Sequence, residues 1–398
     1  MSAHVPSSRA LTVGLGTTQL ISWATSFYMP AVIATPAAAD LGMSRLGILA
    51  GFSWALLAAG FCAPRIGRWI GSHGGRAPLA AGNLAMVLGL GLLAAAQGPA
   101  LWYGGWTIMG IGMALSLYDA VFATLGGILG AAAGPAITGV TLMGGFASSV
   151  GWPAGAYLAE AVGWRGTLLV YAAVQLTVNL PIVLMMLPAR PVPRTAGPAR
   201  TAGPVGRNRH RALACLAGFF TIRWFVTSAL AVAILPLLGG MGLSTGEAIT
   251  ASALIGPGQV VGRLIEFSSG GRFGLIGRAA LGAALAPVGV AVLLWGEGVA
   301  GPAPAACLFA LLYGMSNGIM TINRGTLPLA IFGPDGYAAL LGWLAVPVLL
   351  AQAAAPTLTA PLITRLPSAD IFGAAGIMAG VALLLLLPLR PKPEGAAG

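Results

Sequence analysis

The sequence predicts an all-α membrane protein with twelve transmembrane helices, arranged as two pseudo-symmetric halves of six. Three observations support this fold class: a very low charge content, twelve apolar segments of membrane-spanning length, and a basic segment that recurs half a chain later. Of the 398 residues, 57% are hydrophobic and 7% are charged. A soluble domain carries roughly 25% charged residues, so most of this protein's surface is expected to face lipid.

The twelve apolar segments are each close to the roughly 20 residues that a helix needs to cross a bilayer. In the first half they occupy residues 11–34, 46–63, 78–96, 101–125, 137–160 and 166–187. In the second half they occupy residues 212–238, 248–265, 275–295, 303–323, 337–355 and 371–389. The first segment is longer than the apolar core of a signal peptide, so we expect a retained helix.

The connection between the halves differs from every other loop in composition. Residues 190–211 are rich in Pro and Arg and contain no acid, so they predict a basic cytoplasmic linker that faces anionic lipid. The predicted domains are therefore residues 1–189, the linker, and residues 212–398. With both termini inside, sixteen Lys and Arg residues lie in inner segments and three in outer loops. This asymmetry predicts a multi-pass protein of a bacterial inner membrane with cytoplasmic termini.

Several functional classes are disfavoured by what the sequence lacks. The net charge of +11 is explained by topology, because no basic stripe with stacking aromatics indicates nucleic acid. Cys62, Cys215 and Cys307 are isolated in apolar segments and form no zinc or disulfide pattern. The sequence has no HExxH helix and no phosphate loop. We therefore expect no enzyme, no cofactor, no metal and no obligate protein partner.

The basic segment that follows the second span is repeated after the eighth. Residues 67–76 and residues 262–272 both begin Gly-Arg, have Ile three residues later and end Gly-Gly-Arg. Two six-helix halves with matched inner loops account for this repeat, and secondary transporters are often built from such halves. The predicted conformational-loop residues are Gly67, Arg68, Gly74, Arg76, Gly262, Arg263, Glu266 and Arg272.

These loops resemble the short signature of the major facilitator superfamily, approximately Gly-x-x-x-Asp-Arg-x-Gly-Arg-Arg. The match covers Gly67, Gly74 and Arg76, whereas Gly71 stands where the family has Asp and Glu266 fills the acidic position of the second copy. The resemblance implies a latch between helices, and the missing acid puts the first latch in doubt. The sequence is also loosely similar to the monocarboxylate and oxalate–formate porter branches.

Two further segments bear on that resemblance. Within the fourth span, residues 106–112 are similar to the family's Arg-x-x-x-Gly-x-Gly helix, but Trp106 stands where Arg is usual. Residues 151–155 resemble the family's antiporter motif only loosely, which weakens a prediction of antiport. The resemblance also implies that helices one, four, seven and ten line a central cavity.

Ionisable residues inside spans are the strongest functional candidates, because each costs about 2.5–3.5 kcal/mol at the bilayer centre on insertion scales. Arg223 in the seventh span and Asp119 in the fourth are the two that lie well inside. We predict Asp119 as the proton-coupling carboxylate. The predicted substrate-binding residues on the four cavity helices are Gln19, Trp23, Tyr28, Tyr118, Arg223, Asn317, Asn323 and Arg324.

Each charged candidate has a structural alternative. Arg223 presents paired donors that suit a carboxylate, or it forms an internal ion pair with Asp119. Asp119 either titrates during transport or serves only as an interhelical hydrogen-bonding group. Arg324, at the predicted inner end of the tenth span, either contacts solute or follows the positive-inside rule.

The predicted function is secondary active transport of a small solute, an organic anion, by alternating access with proton coupling as symporter or antiporter. The alternative is a proton-coupled exporter of drugs or toxic compounds. In that case an apolar or cationic solute binds near Asp119, in contact with the aromatic side chains Trp23, Tyr28, Tyr118 and Trp224.

Overall fold

The computed structural model describes residues 6–189, 209–268 and 274–389. Contacts in space between residues divide the chain into two compact units. Unit 1 comprises Met1–Pro193 with Gly336–Ala353, and unit 2 comprises Arg194–Asp335 with Ala354–Gly398. Most of the predicted linker lies outside the described residues, and its last three residues belong to a helix that begins at Arg209. The predicted domain bounds stay a prediction.

Unit 1 is built from nine α-helices, one π-helical turn and residues 337–353 of a later helix, as far as the described residues show. They are α1 (Ser8–Thr25), α2 (Pro30–Leu41), α3 (Arg45–His73), α4 (Arg76–Ala94), α5 (Pro99–Ser116), α6 (Tyr118–Leu129), α7 (Ala133–Gly144), α8 (Ala147–Val174), the π-turn (Gln175–Asn179) and α9 (Leu180–Met186). Gly163 has φ +74° inside α8, a left-handed conformation that glycine adopts readily. It therefore separates the end of the fifth span from the start of the sixth.

Unit 2 contains the remaining helices of the described chain. They are α10 (Arg209–Gly240), α11 (Thr245–Ala253), α12 (Ile255–Ser268), α13 (Leu275–Ala300), α14 (Pro302–Phe332), the end of α15 (Tyr337–Ile363) and α16 (Ser368–Leu384). The entry into α11 is fixed by a capping box, in which Ser244 and Glu247 satisfy each other's backbone N–H groups.

The twelve-span, all-helical prediction is confirmed. Across the described residues, nine helical segments are long and apolar enough to cross a membrane. One of them, Pro99–Met186, holds the fourth, fifth and sixth predicted spans in a single run. The first predicted span is not among the nine, because it is divided into α1 and α2.

Two helices extend well past their predicted ends. The second span was expected to stop at residue 63, but α3 continues to His73 because residues 64–73 contain no glycine at positive φ and no break. Gly67 and Arg68 therefore lie on a helix and not in a loop. The tenth span was expected to stop at residue 323, but α14 continues to Phe332 and ends at Gly333 with φ +77°. Arg324 is consequently about two turns before the C-terminal end of α14, and its predicted position at the inner end of the span stays a prediction.

Small residues let helices of unit 2 approach backbone to backbone. Gly314 and Gly318 of α14 lie against the backbone of α12, where an added methyl group at Gly318 would overlap the carbonyl oxygen of Gln259. Gly258 and Gly262 of α12 meet α14 in the same way. This spacing of four on both helices is the small-residue packing typical of membrane helices, and it fixes the position of α14.

Candidate functional site

The helices of unit 1 are interrupted at several places that the sequence did not predict. The first span breaks at residues 26–29, where the Tyr28 N–H donates to the Trp23 carbonyl oxygen at 3.1 Å, five residues back. The fourth span breaks at Leu117, whose backbone is extended. The sixth contains the π-turn Gln175–Asn179. Broken helices and π-turns are frequent at transporter and other functional sites.

The break in the first span carries an aromatic cluster, defined here as Trp23, Phe27, Tyr28 and Tyr118. The Trp23 ring centroid lies 4.9 Å from those of both Phe27 and Tyr118 and 6.4 Å from that of Tyr28. The structure thus brings three predicted residues together. In the part of unit 1 that the structure describes, the buried Trp23 Nε1 has no hydrogen-bond partner.

Gln19 connects the first span to the break in the fourth. Its Nε2 donates to the carbonyl oxygen of Ser116 at 2.7 Å, at the end of α5. The last carbonyls of a helix lack partners within that helix, so this contact stabilises the end of α5. The Gln19 Oε1 is buried and, among the described residues, has no donor. Gln19 therefore combines a structural contact with an acceptor oxygen that has no donor in the described chain, and its predicted contact with solute stays a prediction.

A buried polar network also joins the first span to the π-turn. Gln175 Nε2 donates to the Thr25 hydroxyl at 2.8 Å, and Asn179 Nδ2 donates to the Ser22 hydroxyl at 2.9 Å and to Gln175 Oε1 at 2.9 Å. All four side chains are buried. The sequence analysis missed Gln175 and Asn179. Their signal was two amides four residues apart in an apolar span, a spacing that places both on one helix face.

Asp119 lies in the first turn of α6, directly after the break at Leu117. Its carboxylate is half-buried and sits at a helix N-terminus, where backbone N–H groups favour negative charge. The fully buried Tyr337 lies within electrostatic range of Asp119, and its ring covers Gly126 on α6. The sequence placed Asp119 on a continuous helix, whereas the structure gives it a helix terminus inside the span.

Arg223 lies near the middle of α10 and is only 1% exposed. Its Nη2 donates to the Ser316 hydroxyl at 3.0 Å and to Asn317 Oδ1 at 3.1 Å, both on α14. Asn317 Oδ1 also accepts from the Thr227 hydroxyl at 3.2 Å. These acceptors are neutral, so they orient the guanidinium without cancelling its charge.

The other donors of this guanidinium are not satisfied. Within the described residues, Arg223 Nε and Nη1 are buried and have no hydrogen-bond partner. No carboxylate of the described part of unit 2 pairs with Arg223. The predicted alternative, an ion pair with Asp119, would join residues of two different units and stays a prediction.

Asn323 and Arg324 occupy α14 beyond Ser316 and Asn317. Asn323 is fully buried, and neither its Oδ1 nor its Nδ2 has a partner in the described chain. The Arg324 guanidinium lies 5.1 Å from the ring centroid of Trp224, the neighbour of Arg223, at a distance typical of a cation–π contact. Unit 2 therefore contains the two arginines Arg223 and Arg324 together with three polar residues of α14, namely Ser316, Asn317 and Asn323.

The predicted conformational-loop residues occupy helices and one short turn. Gly74, with φ +79°, ends α3, and Arg76 begins α4. In the second copy, Gly262, Arg263 and Glu266 all lie on α12. Arg272 lies outside the described residues.

The acidic position of the second copy carries an ion pair. Glu266 Oε1 lies 3.1 Å from Arg278 Nη1 on α13. Arg263 Nη2 donates to Gln259 Oε1 at 3.3 Å, on the preceding turn of α12. An acid with a basic partner is thus present in unit 2, where the resemblance implied one, and it joins α12 to α13.

Together, the membrane-spanning helices, their interruptions and the buried ionisable side chains define a polytopic membrane protein with the features of a transporter. A sequence profile of the Major Facilitator Superfamily matches residues 15–323, well over half of the chain. The protein therefore belongs to the Major Facilitator Superfamily, whose members are transporters and not enzymes. The predicted family is confirmed, whereas the predicted branch stays a prediction.

Solved structures share the fold over almost the whole chain. The human organic anion transporter MFSD10 (TETRAN) is 17% identical with a TM-score of 0.73, covering 96% of this chain and 100% of that one. The E. coli fucose:proton symporter is 16% identical with a TM-score of 0.70, covering 97% and 100%. A second structure of that symporter, in the outward conformation, is 13% identical with a TM-score of 0.65, covering 96% and 99%. Comparison with curated protein sequences finds no match.

Proposed function

We propose that this protein is a secondary active transporter of a small organic anion and that Arg223 is the residue that contacts the anion. The observation that carries this proposal is the guanidinium of Arg223, which is 1% exposed and retains two nitrogen atoms without acceptors among the described residues. Burial of an unpaired charge is costly. A guanidinium that keeps its charge in this setting is suited to an anionic ligand.

The chemistry of the site favours a carboxylate or a related oxyanion. Hydrogen bonds to a charged partner contribute roughly 1.5–3 kcal/mol each, and guanidinium donors match the geometry of planar carboxylates. Ser316 and Asn317 hold Nη2 in place, which reduces the rotamer entropy that an arginine would otherwise lose on binding. The anion would therefore meet donors that are already oriented.

The structural relatives do not decide between solutes. One of them is described as an organic anion transporter and another as a fucose:proton symporter, so the same fold serves a charged and an uncharged solute. The assignment to an anion rests on the Arg223 site of this chain. We further propose that Asp119 couples transport to protons, and that the protein lies in a bacterial inner membrane with cytoplasmic termini.

The test is uptake of labelled small carboxylates by proteoliposomes, with and without an imposed proton gradient. We expect saturable, gradient-sensitive uptake by the wild type and a fall of roughly a hundredfold in Arg223→Gln, because truncating a buried charge contact costs about 2–5 kcal/mol. Arg211→Gln is the matched control, since it makes the same change at an exposed position of the same helix. Equal uptake by wild type and Arg223→Gln would overturn the proposal.

A second candidate function is supported by the aromatic cluster. Three rings lie close to the ring of Trp23, whose buried indole N–H has no partner in the described chain. Such a cluster suits an apolar or cationic solute. In that case the protein is a proton-coupled exporter of drugs or toxic compounds. Proton-driven movement of lipophilic cations that requires Asp119, with no carboxylate uptake, would favour this function over the first.

A further inference from the structure

Tyr313 is another of the buried polar side chains of unit 2 that lack a partner in the described chain. It lies on α14 and is 3% exposed, and its hydroxyl has no hydrogen-bond partner among the described residues. Its ring stacks on that of Phe309 with centroids 5.6 Å apart. The position of the ring is therefore set by packing, and its hydroxyl stays unsatisfied.

The spacing along α14 places Tyr313 on the same side of the helix as two residues of the Arg223 site. Tyr313, Ser316 and Asn317 are separated by three and four residues, so they share one face of the helix. Ser316 and Asn317 both accept from Arg223, and Tyr313 lies within electrostatic range of the same guanidinium. Nevertheless, the tyrosine hydroxyl and the guanidinium do not hydrogen-bond to each other.

We propose that Tyr313 is a further anion-binding residue, which donates its hydroxyl to the same oxyanion that Arg223 holds. An acceptor placed between the two groups would satisfy the Tyr313 hydroxyl and the free donors of Arg223 together. This inference rests on the proposed function, and it adds that the charged end of the solute is a carboxylate or similar oxyanion. A halide lacks the several oxygen atoms needed to reach separate donors at one time.

The removal of one oxygen atom tests this role. Tyr313→Phe keeps the ring that packs on Phe309 and removes only the hydroxyl. Loss of a hydrogen bond to a charged ligand is expected to raise the Kd for a small carboxylate roughly ten- to hundredfold. The measurement is calorimetric titration of the purified protein with labelled or unlabelled carboxylates that the wild type takes up.

Tyr171→Phe is the matched control. Tyr171 is 5% exposed, lies on α8 in unit 1, and its hydroxyl is likewise buried without a partner in the described residues. The same atom is therefore removed from a similar environment, and the Kd should stay at the wild-type value. A comparable loss of affinity in both variants would overturn the inference, because it would indicate a general effect on the fold.

The remaining outcomes separate this inference from the proposed function. If Arg223→Gln abolishes binding but Tyr313→Phe binds as the wild type does, the Tyr313 role is wrong and the proposed function stands. If the wild type binds no anion, both are wrong. Because the unliganded hydroxyl has no partner, Tyr313→Phe should fold as well as the wild type, and failure to fold would contradict the structure on which the inference rests.

The double variant tests whether the two residues hold the same anion. Tyr313→Phe should lower the affinity less in the Arg223→Gln background than in the wild-type background, since both groups act on one anion.

Discussion

Replacement of Arg223 by Met should make the protein more stable while it removes anion binding. Met has nearly the length of Arg, is unbranched, and fills irregular apolar space. The change removes a buried charge that has two unsatisfied nitrogen atoms in the described chain. It also removes the bonds from Nη2 to Ser316 and Asn317, although Asn317 Oδ1 keeps the Thr227 hydroxyl.

The expected change in the free energy of unfolding follows from the removal of the buried charge and from the loss of its hydrogen bonds. Replacement of buried ionic groups by apolar residues is often neutral or stabilising by about 1–4 kcal/mol, and the Ser316 hydroxyl left behind costs about 1 kcal/mol. We therefore expect Arg223→Met to unfold a few degrees higher than the wild type in the absence of anion. Carboxylate at a hundred times its Kd should stabilise the wild type by about 2.7 kcal/mol and leave Arg223→Met unchanged.

Thermal unfolding in detergent, over a series of carboxylate concentrations, measures both effects. Arg211→Met is the control, because this exposed residue of α10 should change neither quantity. A large fall in stability of Arg223→Met would refute the reasoning. Removal of one partner from a buried ion pair costs about 3–5 kcal/mol, so that result would instead identify Arg223 as a structural partner of a carboxylate such as Asp119.

Two further predictions concern coupling and packing. Asp119→Asn should abolish the effect of a proton gradient on uptake while anion exchange without a gradient persists, which counterflow in proteoliposomes measures; a preserved response to the gradient would contradict the role of Asp119. Gly318→Leu should destabilise the protein by about 1–3 kcal/mol or more, because its side chain would overlap the backbone of α12 at Gln259. Gly91→Leu, at an α4 position with open space around it, should unfold close to the wild type, and equal unfolding temperatures of the two variants would contradict the close packing of α12 and α14.

The spans were predictable because lipid imposes a strong constraint on sequence. Twelve apolar segments and a repeated basic segment predicted the fold class, and the resemblance of that segment to a family signature predicted the family. The ends of the helices were less predictable, since α14 continues through residues 324–332 even though Arg324 suggests a boundary. A helix can continue beyond the bilayer, so hydrophobicity predicts the span but not the residue at which the helix ends.

The helix breaks inside the spans were not predictable from the sequence for a related reason. Leu117 is an ordinary apolar residue, and nothing in its neighbours predicts an extended backbone there. The break before α2 did leave a signal, because Pro30 stands at the start of α2, and proline is favoured in the first turn of a helix. Hydrophobicity alone describes a continuous span in both cases.

The charged part of the site was predictable, whereas only some of its neutral residues were. Arg223 was singled out because a buried arginine is rare in a span. Tyr313 and Ser316 are common residue types in membrane helices. Only the hydrogen bond from Arg223 identifies Ser316, and only its place on the same side of α14 identifies Tyr313. Asn317 was predicted to contact solute, and the structure shows that its side-chain oxygen, Oδ1, accepts hydrogen bonds from Arg223 and Thr227. A contact from Asn317 to solute would therefore come from its amide nitrogen.

The most direct test of the central claim is an experimental structure of the protein with a transported carboxylate bound. The account predicts an oxygen atom of the carboxylate about 3 Å from Arg223 Nε or Nη1, with the Tyr313 hydroxyl donating to the same group. A carboxylate bound elsewhere, with Nε and Nη1 still lacking acceptors, would contradict it.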